Sequence, residues 1–239
     1  MSDTDFQDKI LNSGAGFNPT CWTEIISAGK GDEESLNEFC RQYWHPLYAF
    51  ARKSGKSVEL AQDLTQDFFS NILTKEKLGE VEQGKGKFRN FLLILFKRFM
   101  INEYTKTQAE KRGGSLQKVD FSEVEEWLVT QSLSPDELYN KSWALTVIDG
   151  VMAEIEKRFI ANGEEKRFVI MKPHLDNSAN CTYKDSAKEL GCTENSFKVA
   201  VHRLKKEFGK ILRLKIQSTV EKSADIDEEL RFLSEILKK

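Results

Sequence analysis

Proline and histidine are scarce in this chain, four and three among 239 residues. So little proline leaves long stretches free to run as unbroken helices. Cysteine is as sparse as proline: Cys21, Cys40, Cys181 and Cys192 lie far apart and form no C-x-x-C pair. Neither a disulfide framework nor a zinc spacing is present, and reduced, mostly buried thiols are expected. No apolar run approaches the roughly 18 residues that span a bilayer. The opening MSDTDFQDKILNSGAGF has neither a basic start nor an apolar signal core. A soluble, cytosolic chain with no membrane partner is the expectation.

Catalytic groupings are missing as well. No Ser/His/Asp set or paired carboxylates emerge, because the many acids fall on helix faces or in a candidate linker. One phosphate-loop pattern nearly completes itself in GEVEQGK, residues 79–85. Gly86 follows where a Ser or Thr would hold magnesium, and TKEKL before it is no buried strand. The expectation is therefore no catalytic residue, no metal and no cofactor.

What the sequence does have is charge sorted by segment. The total is only −2, but residues 1–40 hold eight acids against two bases, while residues 85–118 hold nine bases against two acids. Residues 120–137 carry six acids and no base, and residues 196–217 seven bases and one acid. Two basic blocks flank an acidic one, the pattern of a chain that meets a polyanion at two places.

Periodicity at three and four residues dominates, which predicts an all-α protein. Residues 1–19 read as a loose tail. Leu36, Phe39, Cys40, Tyr43, Leu47 and Phe50 form a helical stripe with a bend expected at Pro46. A second helix starts near Ser57, with Leu60, Ala61, Leu64, Phe68 and Ile72 on its apolar face and Asp63, Gln66, Asp67, Ser70 and Asn71 on the other. FRNFLLILFKRFMINEY is apolar nearly all round and is expected to be mostly buried. These helices make one domain over residues 20–112. The stretch at 113–133 reads as a flexible acidic linker, able to reach about 70 Å when extended. SPDE then opens a second helical domain, 134–217: Ser134 caps, Pro135 takes the first helical position and Glu137 completes a capping box. Trp143, Val147, Val151, Ile155 and Phe159 give it a long amphipathic helix, interrupted at ANGEEKRF. In the extension at 218–239, Asp225 with Glu228 three residues on reads as a cap, and Ile226, Leu230, Leu233 and Leu237 form a stripe that must pack on the second domain or on a regulator.

The segment TYKDSAKELGCTENSFKVAVHRLKKEF, residues 182–208, reads as a short helix, a glycine turn and a longer helix. On a wheel of 100° per residue, Phe197, Ala200, Val201, Leu204, Phe208, Ile211 and Leu212 share one face. Asn195, Lys198, Val199, His202, Arg203, Lys205, Lys206 and Lys210 cover the other. Ala187 and Gly191, four apart, suit two helices crossing steeply. Such a helix-turn-helix places its second helix in the major groove, so Thr193, Glu194, Asn195, Ser196, Lys198, Val199, His202, Arg203 and Lys206 are candidates for contact with bases or phosphates. Each bidentate base contact discriminates by roughly 1–3 kcal/mol, so one unit alone specifies weakly and needs a partner or a tether.

AQDLTQDFF at 61–69, GKGKFRNFLL at 84–93 and the C-terminal helix-turn-helix follow one another in an order that resembles bacterial RNA polymerase sigma factors of the extracytoplasmic-function group. The resemblance covers roughly residues 20–217. It implies a region 2-like domain, a region 4-like domain and no region 3 between them. It further implies that Asp63, Gln66, Asp67 and Asn71 meet the clamp coiled coil of core RNA polymerase. Lys85, Lys87, Phe88, Arg89, Asn90, Lys97 and Arg98 would hold the minus-ten strand, and the helix-turn-helix would hold minus-35 promoter DNA. An anti-sigma factor or other regulator belongs to the same expectation. Phe96 and Arg98 depart from the family, which usually has a small residue and an Asn there. Two other readings stay open: a helix-turn-helix regulator that acts without core polymerase, and an interaction protein that binds through apolar faces.

Overall fold

A computed structural model describes residues 33–74, 87–109, 132–175, 179–220 and 223–238. Among them all regular structure is helical. In chain order the α-helices are α1 (Glu33–Lys53), α2 (Val58–Thr74), α3 (Phe88–Ala109), α4 (Pro135–Ala161), α5 (Glu165–Met171), α6 (Tyr183–Glu189), α7 (Glu194–Thr219) and α8 (Ile226–Ile236). The tail at 1–19, the loop that carries Lys85 and the phosphate-loop pattern lie outside the described residues, as does the expected linker at 113–133 apart from Ser132 and Leu133.

Local chemistry explains the helix ends. Ser57 accepts a bond from the Leu60 amide at 3.2 Å and so starts α2. At α4 the expected capping box is present, with Ser134 Oγ accepting from the Glu137 amide and Glu137 accepting from the Ser134 amide. Gly163, at φ +70°, stops α4 in a left-handed turn that only glycine adopts without strain. The cap expected at α8 differs: Asp225 makes no side-chain bond to the helix, and Glu228 is turned outward to Lys87.

Packing divides the molecule elsewhere than the sequence predicts. Two hydrophobic cores form, and the boundary between them falls inside α4 rather than at residue 134. The first half of α4 places Leu138, Tyr139, Trp143, Ala144 and Val147 in one core with Phe39, Tyr43, Leu47 and Phe50 of α1 and with Phe88, Leu92 and Phe96 of α3. Ile216 at the end of α7, Val220 just after it, and Ile226, Leu233 and Ile236 from α8 complete the same core. The second half of α4 contributes Val151 and Ile155 to the other core, with Phe168, Met171, Ala187, Phe197, Val201, Leu204 and Ile211. The segments expected as separate domains at 20–112 and 134–217 thus share the first of these cores, which the extension after 218 helps to close, while the second is built from 134–217 alone.

Three further expectations are corrected. α3 is not buried all round, since Ile94, Ile101 and Tyr104 are exposed along one side, Ile101 by 64%. Leu60 of α2 is likewise exposed, although its neighbours Ala61, Leu64, Phe68 and Ile72 are buried. The described thiols are not mostly buried either: Cys181 and Cys192 are exposed and Cys40 half-buried, all three unpaired. The two exposed ones flank α6, where a short helix has only one side to bury.

Candidate nucleic-acid interface

The α6–turn–α7 unit is built from small residues and caps. Thr182 Oγ accepts from the Asp185 amide while the Asp185 carboxylate accepts from the Thr182 hydroxyl at 2.6 Å and from the Thr182 amide at 3.1 Å, which seals the start of α6; the hydroxyl bond first, then the amide bond, holds that carboxyl below its usual range. Ser186 and Ala187 are the buried residues of α6. Ser186 Oγ lies 2.9 Å from His174 Nε2, and the His174 ring packs on Tyr183 and Phe197 at 4.7 and 5.2 Å between centroids. Gly191 then turns the chain at φ +66°, with the Cys192 amide donating to the Ala187 carbonyl at 2.9 Å and the Gly191 amide to that of Lys188 at 3.1 Å. That pair of bonds ends a helix and aims the next one.

Helix α7 emerges with its apolar face inward and its polar face outward. Phe197, Val201, Leu204 and Ile211 are buried; Glu194, Asn195, Ser196, Lys198, Val199, His202, Arg203, Lys205, Lys206 and Lys210 are exposed. The basic face is therefore open along its length. Thr193 has a second duty, since its hydroxyl accepts from the Ser196 amide at 3.2 Å and bonds Ser196 Oγ at 2.8 Å. Lys198 pairs with Glu194 at 2.6 Å across one helical turn. An exposed pair of that kind is worth a few tenths of a kcal/mol, so a phosphate displaces it readily.

On α2, Gln66 and Asp67 are exposed, and Asp63 and Asn71 half-buried. Asn71 Nδ2 donates back to the Asp67 carbonyl at 3.1 Å. Partial burial, then the charges of Asp63 and of Glu103 on α3, raise the Asp67 carboxyl above its usual range. Like charges gathered in this way are relieved by a cationic partner.

The upstream basic block is placed quite differently. Phe88 is a core residue, edge-on to Tyr43 at 5.4 Å and to Phe39 at 6.0 Å, with Phe91 at 6.3 Å. Its ring is not available for stacking on a base. Arg89, only 3% exposed, is surrounded by later parts of the chain. Its Nε donates to Glu229 Oε1 at 2.5 Å and its Nη2 to Oε2 at 3.3 Å, while Nη1 donates to Asn140 Oδ1. Its carbonyl accepts from the Tyr139 hydroxyl at 2.9 Å, and burial pushes that phenol above its usual range. Lys87 reaches Glu228 at 2.8 Å and Glu229 at 2.9 Å. Burial works to lower the Lys87 pKa, but the two carboxylates override it and raise it; the bond and charge of Lys87 hold Glu228 below its usual range. Lys97 pairs with Asp136 of α4. Of the described members of this block, Asn90 and Arg98 alone are exposed.

The chain matches no family model, no curated protein and no solved structure. Among the described residues no group of three or more His, Cys, Asp or Glu side chains is placed to hold a metal ion, and no helix is long and apolar enough to cross a membrane.

Periodicity did not reveal the groups that cover Lys87 and Arg89: Asn140, Trp143, Glu228, Glu229 and Phe232. Only the acid-rich start of α8, Asp227 to Glu229, offered a signal, by its complement to the basic start of α3. Asp227 is engaged too, paired with Arg213 of α7 at 2.7 Å, a bond and charge that lower its carboxyl pKa.

Proposed function

We propose that this chain is a sigma factor: it binds core RNA polymerase, directs it to promoters and helps to open the start region, with no catalytic residue, metal or cofactor of its own. The observation that carries this reading is the geometry at α6–turn–α7. A capped short helix, a left-handed glycine and a second helix present an unbroken exposed basic face, the arrangement that docks in the major groove. The acidic face of α2 supports the partner half of the reading, since crowded carboxylates at Asp63 and Asp67 suit a basic protein surface. Such a chain works in the cytosol, with promoter DNA and core polymerase as partners and an anti-sigma factor or other regulator as a third.

The core shared by the two segments favours a second reading, a helix-turn-helix regulator that acts without core polymerase, because Lys87, Phe88 and Arg89 of the upstream block are covered in this arrangement. Core-polymerase binding separates the two. Replacing Asp63 and Asp67 together by Lys sets like charges against a basic partner, which costs several kcal/mol. Co-elution with purified core enzyme should fall by on the order of 100-fold for this variant. Duplex binding through α7 should be unchanged. Wild-type chain that never co-elutes with core enzyme, yet shifts promoter duplex alone, would establish the regulator instead.

A further inference from the structure

Helix α3 opens with Lys87 and Arg89 and has no acid in its first turn, the reverse of what a helix N-terminus favours. In front of that end stands the first turn of α8, which carries Asp227, Glu228 and Glu229. Glu229 takes Arg89 in a two-pronged grip, and Phe232 lies over the guanidinium, with the carbon at its centre 3.9 Å from the ring centroid. Two anionic oxygens on an arginine fork with a flat ring stacked on its face are also what a nucleotide offers. A phosphate forms the same bidentate pair as a carboxylate, and a base stacks as an aromatic ring does.

We propose that α8 is an internal stand-in for a nucleic-acid strand. Its carboxylates and Phe232 occupy Lys87 and Arg89 in the free chain, and a single strand reaches those cations only by displacing the helix. The proposal rests on reading the start of α3 as a strand-binding element and adds the competition that regulates it. The rim of the contact is already open to solvent, since the Glu228 side chain is 69% exposed, so displacement can begin there and move inward to Glu229. The other ionic tether of α8, Arg213 with Asp227, is exposed on both sides and weak. Apolar contacts of Ile226, Leu233 and Ile236 supply the rest of its hold.

The test uses the full chain and a labelled oligothymidylate strand, titrated at several salt concentrations. Glu228→Gln with Glu229→Gln keeps the volume of both side chains and removes both charges. This variant should bind the strand on the order of ten-fold more tightly than the native chain, with a log–log salt slope steeper by about 1.4, from two freed cations at about 0.7 each. Adding Arg89→Ala should abolish most of that gain. Leu233→Ala, which loosens α8 without touching a charge, should also raise strand affinity and keeps the question decidable if the glutamine pair fails to fold. No gain in the folded variants overturns the proposal. Because the assay contains no polymerase, a gain in strand affinity in a chain that never supports initiation would remove the sigma reading and leave the stand-in. Initiation without any gain would do the opposite.

Discussion

Trp143→Ala is expected to lower the stability of the chain by about 3–5 kcal/mol, which for a protein of this size shifts the melting temperature by about 6–20 °C. Trp143 is fully buried in the core where α1, α3, α4 and α8 meet, and the Arg89 guanidinium lies 5.1 Å from its ring centroid. Removing the ring takes away the surface on which both halves of the chain close. The loss should therefore appear in a single cooperative transition involving both halves, followed by circular dichroism against temperature and by urea titration. Trp143→Phe should cost much less. The indole N–H is buried without a hydrogen-bond partner among the described residues, so its loss leaves nothing further unpaired. If instead Trp143→Ala melts as two separate steps with only one displaced, the halves would be independent.

The second large effect is on DNA. Replacing Lys198, Arg203 and Lys206 together by Ala should weaken promoter binding on the order of 100-fold near physiological salt, and flatten the log–log salt slope by up to about 2.7, from three phosphate contacts at about 0.9 each. Stability should hold within about 0.5 kcal/mol, because all three side chains are exposed and contribute nothing to either core. The two readouts together separate a lost contact from a lost fold. A loss spread evenly over all duplex sequences assigns these cations to phosphates; a change in sequence preference assigns at least one of them to a base edge.

The helices themselves were legible because their signals are local. Ser134, Pro135 and Glu137 read as a helix start and form one, and Phe197, Val201, Leu204 and Ile211 read as a buried stripe and are one. The basic face of α7 followed from the same wheel. What the sequence concealed depends on which helices meet. Nothing in the spacing around Trp143 says that it shares a core with residues of α1 and α3, and nothing in KFRN says that Glu229, 140 positions away, will hold Arg89. The apolar residues nearly all round α3 suggested that most of the helix is buried, but a helix at the edge of a core has too few neighbours for that, and Ile94 and Ile101 are left outside. Phe88 followed the aromatics of α1 inward for the same reason: its ring at the start of α3 faces Phe39 and Tyr43, not solvent.

The central claim concerns polymerase, and transcription tests it most directly. Purified core enzyme would be given genomic fragments with the native chain, with the chain lacking Lys198, Arg203 and Lys206, or with no addition, and the RNA 5′ ends mapped. The account predicts discrete start sites that depend on the native chain and fade with the substituted one. Identical transcripts in all three reactions would contradict it.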